Sequence, residues 1–518
     1  MPLARALEDL PVAFNAAADL LAGAGSDASA RRVAYLDDRG AWTYGEIAER
    51  VDRFAGLLTE LGVEREQRVL LCLQDSADFP TAFLGAIKAG VVPVPVNTLL
   101  KADDYAYALA DSRARAVFVS EALAPTLYEA AGGGPIVIVA GDGEGRLEAR
   151  LDAATPRREP AETCRDEPAF WLYTSGSTGR PKAAIHAHAS PRLTADLYAR
   201  GVLGLREDDV VLSVAKLYFA YGLGNGLTFP LSVGAKTVLL RERPTPAVVS
   251  KLMLEHGVTV LQAAPTFFAA MLADPGTPER LPALRIATSA GEALPASIGE
   301  AFTARFGVEI LDGLGSTEML HIFISQRPGA VRYGVTGKPV PGYDLRIVAE
   351  DGSDCADGQL GDLHVRGPTA ALGYWNNRPK SRETFLGPWT RTGDKYVRDA
   401  EGWHRYAGRS DDMLKVSGQY VSPFAVEEAL AAHPDVLEAA VIGCADENGL
   451  TKPKAFVVCR DAEAASPALA AALQAHVKGR LAPHCYPRWI EFRAELPKTA
   501  TGKLQRYLLR AEAPAGLP

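Results

Sequence analysis

Short apolar runs and amphipathic stretches alternate along the first third of this 518-residue chain. Val33-Ala34-Tyr35-Leu36 reads as a strand and is followed by a turn at Asp37-Asp38-Arg39-Gly40. Thr43-Tyr44-Gly45-Glu46 has the form of a capping box. The helix it would open repeats apolar residues at Ile47, Val51, Phe54, Leu58 and Leu61 and stops at Gly62. Arg68–Leu73, Val91–Val96, Ala116–Val119 and Ile136–Val139 then read as further strands separated by helical stretches. That order predicts parallel sheet with helices packed on its faces. After residues 141–168, rich in Gly, Arg, Glu and Pro and expected to be a connecting loop, the pattern resumes. Strands are expected at Val210–Ala215, Thr237–Leu240, Val258–Gln262, Arg285–Ser289 and Val308–Leu311.

From about 343 to 407 the pattern becomes short strands and turns, which suggests a small β subdomain. Beyond 408 it mixes strands (Ala439–Ile442, Ala455–Cys459, Trp489–Phe492) with a helix near 467–480. The expected fold is α/β. A large N-terminal domain, residues 1–408, has parallel-rich α/β subdomains plus the small β subdomain. A small mobile α+β domain spans 409–518. A net charge of −8 gives no global basic footprint for nucleic acid. Six scattered cysteines without a C-x-x-C pair fit a reducing cytoplasm rather than a disulfide or zinc framework. Lys88 and three prolines interrupt the most apolar stretch, Phe79–Leu100, so no membrane span is expected there.

Against that framework one stretch carries chemistry. Phe170-Trp171-Leu172-Tyr173 reads as a buried strand, and Thr174-Ser175-Gly176-Ser177-Thr178-Gly179-Arg180-Pro181-Lys182 follows it. Glycines let backbone N–H groups approach a ligand, hydroxyls donate to anionic oxygens, and Lys182 adds a cation. That combination suits a polyphosphate. It is not a P-loop, because G-x-x-x-x-G-K-[ST] does not fit.

Asp312-Gly313-Leu314-Gly315-Ser316-Thr317-Glu318 presents a hydroxyl and a carboxylate from a glycine turn, and Glu318 could hold Mg²⁺ through oxygen. By itself this patch is equally compatible with a plain turn. Thr390-Arg391-Thr392-Gly393-Asp394 ends in a carboxylate able to accept two ribose hydroxyls. Lys503 ends a Gly/Thr turn, Pro497-Lys498-Thr499-Ala500-Thr501-Gly502-Lys503. An ammonium aimed between two approaching anions would stabilise charge developing at phosphorus.

These motifs, in this order from about residue 30 to 505, resemble the adenylate-forming superfamily of acyl-CoA synthetases, luciferases and peptide-synthetase adenylation domains. The resemblance implies ATP, Mg²⁺ and coenzyme A as partners. Thr174, Ser175, Gly176, Ser177, Thr178, Gly179 and Lys182 would hold the β- and γ-phosphates. Gly291, Glu292, Asp312 and Gly313 would lie at the adenine, with Asp312 on its amino group. Thr317 would meet the α-phosphate and Glu318 would bind Mg²⁺. Asp394, Tyr406 and Arg409 would serve the ribose side, and Asp411 would be the hinge of a domain rotation. Lys503 would act in adenylation and Gly418 would line the pantetheine tunnel. Leu314 departs from the usual aromatic residue, so the base contact there would be apolar packing. Ala183 and Asp362 depart in smaller ways.

Two stretches, Lys216–Asn225 and Gly315–Phe323, look like the benzoate-CoA ligase branch. Ala220, Tyr221, His321 and Ile322 would then line a flat slot for an aryl carboxylate. Benzoate, hydroxybenzoates and aminobenzoates remain open as substrates, as do a carrier-protein acceptor and a medium-chain fatty acid. A homodimer, and acetylation of Lys503 by a lysine acetyltransferase, are further expectations.

Overall fold

The computed structural model describes residues 7–24, 26–176, 179–416, 419–447, 450–498 and 504–512. Compactness divides the chain into two units: residues 1–345 with 365–391, and residues 346–364 with 392–518. The domain boundary expected between residues 408 and 409 falls inside the second of these units.

In the first unit the expected α/β alternation forms. Val92–Pro95, Arg68–Cys72, Ala116–Val119 and Ile136–Val139 make a four-stranded sheet that is parallel throughout. A nine-stranded sheet runs Lys338–Pro339, Ile322–Ser325, Ile310–Gly315, Ile286–Ser289, Val260–Ala263, Val210–Ser213, Lys236–Val238, Val33–Asp37, Gly40–Thr43. Its inner strands are parallel and its edges antiparallel. The Tyr44–Glu60 helix starts on the expected reciprocal Thr43/Glu46 box. Such a cap contributes about 1 kcal/mol. The helix buries Ile47, Val51, Phe54 and Leu58 in the core, where Phe54 packs on Phe118 with ring centroids 4.5 Å apart.

Two expectations are corrected. Residues 141–168 are not wholly loop, because Leu147–Ala153 is helical. Its Glu148 pairs with Arg39 and Arg50, partners about a hundred residues away that local composition does not reveal. The strand expected at Val308–Leu311 instead spans Ile310–Gly315 and runs through the glycine turn, because Gly313 and Gly315 pair with Ser325 and Ile322.

In the second unit, Val436–Ala445, Thr451–Cys459 and Trp489–Phe492 form a three-stranded sheet. Helices Pro423–Ala431 and Pro467–Lys478 pack on it through Val426, Leu430, Leu473 and Val477. Arg506–Glu512 packs through Leu509 against Ala440, Ile442 and Phe456. Among the described residues no helix is long and apolar enough to cross a membrane.

Candidate active site

The polyphosphate motif lies on an antiparallel hairpin. Pro168–Gly176 pairs with Gly179–Ala187, with Thr174 opposite Lys182 and Gly176 opposite Gly179. Ser177 and Thr178 lie outside the described residues, as do Gly418 and Lys503. The strand before the turn is anchored by Phe170, Trp171 and Leu172, all buried. Gly373–Tyr374 joins the hairpin as a third strand. That placement sets the Tyr374 ring 4.6 Å from the Lys182 ammonium. Tyr374 also donates through its hydroxyl to Glu318 Oε1 at 2.6 Å.

The Thr317–Met319 turn, which presents Thr317 and Glu318, is pinned from three sides. His186 Nε2 lies 2.9 Å from the Thr317 carbonyl. Ala371 N donates to the Glu318 carbonyl, and Thr369 Oγ1 to that of Met319, both at 2.8 Å. Burial holds the His186 imidazole down at about 4, so it is neutral here. Gly315 must be glycine, since a Cβ would fall 2.6 Å from the His321 carbonyl oxygen. Among the described residues no three His, Cys, Asp or Glu side chains gather around one point. A single carboxylate at Glu318 still suits Mg²⁺, which takes its remaining oxygens from water and substrate phosphates.

Asp312 sits at the end of the parallel part of its strand, in register with Ser289. It is buried, and Oδ1 has no hydrogen-bond partner. Burial pushes its pKa well above the carboxylate range, opposed by the Gly313 and Leu294 backbone N–H groups and the facing Ser289 hydroxyl. A buried acceptor without a donor is costly. An exocyclic amino group is a fitting donor for it. Gly291 turns the chain beside this point with φ +93°, and the neighbouring Leu314 is half-buried.

His321 and Ile322 are buried. The His321 ring lies against Phe229 (4.4 Å), Tyr221 (5.4 Å) and Tyr198 (5.5 Å). Its Nε2 is 3.3 Å from the Tyr221 carbonyl. Burial lowers its pKa to about 3, so this wall carries no charge at neutral pH. Gly224 leaves the room for it: a Cβ there would fall 2.3 Å from His321 Cδ2. Tyr221 and Ala220 open a short helix, Ala220–Leu223, that widens into a π-type turn over Gly224–Thr228. The segment leading into it is tied down by Asp75, which accepts from Leu217 N at 3.2 Å and lies 3.8 Å from the Lys216 ammonium. Burial pushes the Asp75 carboxyl up to about 6, against the pull of Lys216. The structure thus brings all four expected substrate-wall residues onto two adjoining segments. Sequence reasoning missed Asp75, Tyr374 and Thr288, the partner of the Tyr221 hydroxyl, because nothing in their local pattern marks them.

In the second unit residues 394–398 pair antiparallel with His404–Arg409, and Asp394 is the register partner of Arg409. Arg409 Nη1 donates to Asp394 Oδ1 at 2.9 Å, and this carboxylate raises the guanidinium's pKa further. Gly393 has φ +77°, and a Cβ there would crowd Arg409 Nη2 at 2.9 Å. Tyr406 packs edge-on against Tyr396 and Phe424. Asp411 is exposed. Next to it, Ser410 Oγ donates to Asp362 Oδ1 at 2.6 Å, so the shorter Asp362 still reaches a partner.

Residues 24–375 match the family model for AMP-binding enzymes, and residues 425–503 match the AMP-binding enzyme C-terminal domain. The chain belongs to the AMP-binding enzyme family. Within it, the chain is 54% identical over 514 residues to a benzoate–CoA ligase of Thauera aromatica, covering 97% of each. It is 48% identical to a 4-hydroxybenzoate–CoA/benzoate–CoA ligase of Rhodopseudomonas palustris, covering 97% of this chain and 95% of that one. Among solved structures it resembles a benzoate CoA ligase from Burkholderia xenovorans LB400. The TM-score is 0.91 at 54% identity, covering 96% of this chain and 100% of that one.

Proposed function

We propose that this chain is an AMP-forming acid–thiol ligase that activates benzoate or a close analogue with ATP and passes the acyl group to coenzyme A. The observation that carries the aryl reading is the wall of Tyr221, Phe229 and a neutral His321 around a glycine at 224. It is aromatic and uncharged, which suits a ring better than a long acyl chain. The relatives named above support the same reading.

In this reading the carboxylate oxygen of the acid attacks the α-phosphorus of ATP, pyrophosphate leaves, and an acyl-adenylate forms. Thr174, Ser175, Gly176, Ser177, Thr178, Gly179 and Lys182 hold phosphates. Glu318 would hold Mg²⁺, whose contribution is neutralisation of phosphate charge. Thr317 meets the α-phosphate, Asp312 accepts from the adenine amino group beside Gly291, Glu292 and Gly313, and Asp394, Tyr406 and Arg409 serve the ribose. Lys503 stabilises the charge that builds at phosphorus. The thiol of coenzyme A, guided past Gly418, then displaces AMP from the acyl carbon, with Asp411 as the hinge between the two half-reactions. The proposal extends to a cytoplasmic homodimer whose Lys503 is a target for acetylation, which would remove its charge. Sedimentation and mass spectrometry of the native protein test those two points.

The first experiment is pyrophosphate release with benzoate, 4-hydroxybenzoate, 2-aminobenzoate and octanoate, each with and without coenzyme A. Benzoate turnover that yields AMP and benzoyl-CoA only when coenzyme A is present supports the reading. A single stoichiometric burst that coenzyme A cannot relieve points to a carrier-protein acceptor, and preference for octanoate overturns the aryl assignment. Lys503→Ala is expected to lose adenylation by at least about a hundredfold while retaining thioester formation from supplied benzoyl-adenylate. Equal loss of both half-reactions would remove Lys503 from its role.

A further inference from the structure

Behind the aryl wall the central sheet carries polar side chains where a parallel-sheet interior ordinarily carries Val or Ile. Gln262 and Thr288 are register partners on adjacent strands, and both are buried. Each reaches up to the segment that forms the wall. Thr288 Oγ1 lies 2.7 Å from the Tyr221 hydroxyl, and Gln262 Nε2 donates to Asn225 Oδ1 at 2.9 Å. Asn225 is completely buried, and its Nδ2 has no completed hydrogen bond, as is also true of Gln262 Oε1. The Asn225 amide lies near the Tyr221 hydroxyl, and the direct hydrogen bond to that hydroxyl is the one with Thr288. Burial drives the pKa of that hydroxyl far up, so it stays protonated and has one proton to donate.

A half-satisfied polar string in an apolar interior is worse for stability than hydrophobic residues of the same shape. Its geometric result is clear. Tyr221 is gripped at both ends, by Thr288 at its hydroxyl and by His321 at its carbonyl. The π-type turn over Gly224–Thr228 brings Asn225 into the same cluster, and such turns are frequent at functional sites.

We infer that Thr288 and Asn225, backed by Gln262, are positioning residues that set which ring substituents the acid may carry, by fixing the far end of Tyr221. The inference rests on the aryl-acid reading of Ala220, Tyr221, His321 and Ile322. A pinned Tyr221 keeps the slot at the width of an unsubstituted ring. Released, the ring yields by about the volume of one substituent atom, the kind of difference that an apolar pocket discriminates by one to two orders of magnitude. Substituted acids then gain relative to benzoate.

The test uses the full-length chain. Values of kcat and KM are measured for benzoate, 4-hydroxybenzoate and ATP in the wild type, Thr288→Val, Thr288→Ser and Asn225→Leu. Thr288→Val removes the hydroxyl at nearly constant shape. It is expected to lower the benzoate over 4-hydroxybenzoate ratio of kcat/KM about tenfold, through the KM of the acids. The KM for ATP should stay unchanged. Thr288→Ser should restore the ratio, and Asn225→Leu should move it in the same direction as Thr288→Val. Tyr221→Phe breaks the same hydrogen bond from its other end. It should reproduce the Thr288→Val shift, and the double variant should add nothing to it, which keeps the test decisive where Thr288→Val folds poorly. A uniform loss on both acids with the ratio unchanged, or a Thr288→Ser variant as altered as Thr288→Val, overturns the inference and leaves the aryl reading standing. A wild-type enzyme that activates neither acid overturns both.

Discussion

Two aspartates expected at the nucleotide have opposite environments. Asp312, in the first unit, is buried at the end of a parallel strand with an oxygen that nothing meets, and burial favours its protonated form. Asp394, in the second unit, is also buried, but it meets the Arg409 guanidinium at 2.9 Å across an antiparallel pair. The difference shows two ways of preparing a carboxylate. One keeps an acceptor open and dry, so that a ligand's N–H completes it and its geometry is read. The other keeps the charge in place with a cation, so that it can accept from hydroxyls strongly but with little power to tell one base from another. On the proposed reading the first arrangement would select a base, and the second would hold a ribose.

The comparison can be broken by substituting each side in turn. Asp394→Ala removes a charged acceptor proposed to take two ribose hydroxyls and also leaves Arg409 without this carboxylate. Each charged hydrogen bond contributes about 1.5–3 kcal/mol, so kcat/KM for ATP is expected to fall about a hundredfold or more. The loss should fall alike on ATP and GTP. Asp312→Ala removes one acceptor, with an expected fall of about tenfold in kcat/KM for ATP, and the preference of ATP over GTP should shrink with it. Initial rates with both nucleotides check the pair. If Asp394→Ala changes base preference and Asp312→Ala does not, the two roles are exchanged.

The motifs that contain both aspartates could be picked out in the sequence because each lies within a few consecutive residues. A glycine turn after an apolar strand and a Thr-Gly-Asp step are readable in a short window. The strands were readable for a related reason: Ala116–Val119 and the inner part of Arg68–Cys72 are buried on both faces, so they are continuous apolar runs. What stayed hidden was set by distant partners. The Ile310–Gly315 strand runs through two glycines that propensity would end, because pairing with Ile322–Ser325 decides it. Nothing local in Tyr374 announces a bond to Glu318, 56 residues away. Thr288 and Gln262 look like ordinary strand residues until the sheet register sets them side by side beneath Tyr221 and Asn225.

The smallest effect is also the sharpest test of the environments themselves, because it needs no ligand. Asp312→Asn replaces a buried acid with a neutral amide whose Nδ2 can donate to the facing Ser289 Oγ. The wild-type carboxyl has a folded pKa above its unfolded value. Its favourable contribution is therefore complete below the unfolded pKa and is lost as pH rises through the folded one. The variant should accordingly be the more stable at pH 7, by about 1 kcal/mol, and the gap should close as pH falls toward 4. Asp394→Asn should act in the opposite sense. It weakens a charged pair with a half-exposed guanidinium, so it should destabilise the second unit by less than about 1 kcal/mol. Amide exchange read separately at Ile310–Gly315 and at His404–Arg409, at pH 7 and pH 5, reports each strand by itself. Slower exchange at the first strand in Asp312→Asn and faster exchange at the second in Asp394→Asn is the expected pair of results. A loss of protection at Ile310–Gly315 in Asp312→Asn at pH 7 would mean that the acid is stabilised in place, and that its unmet oxygen is not what the ligand completes.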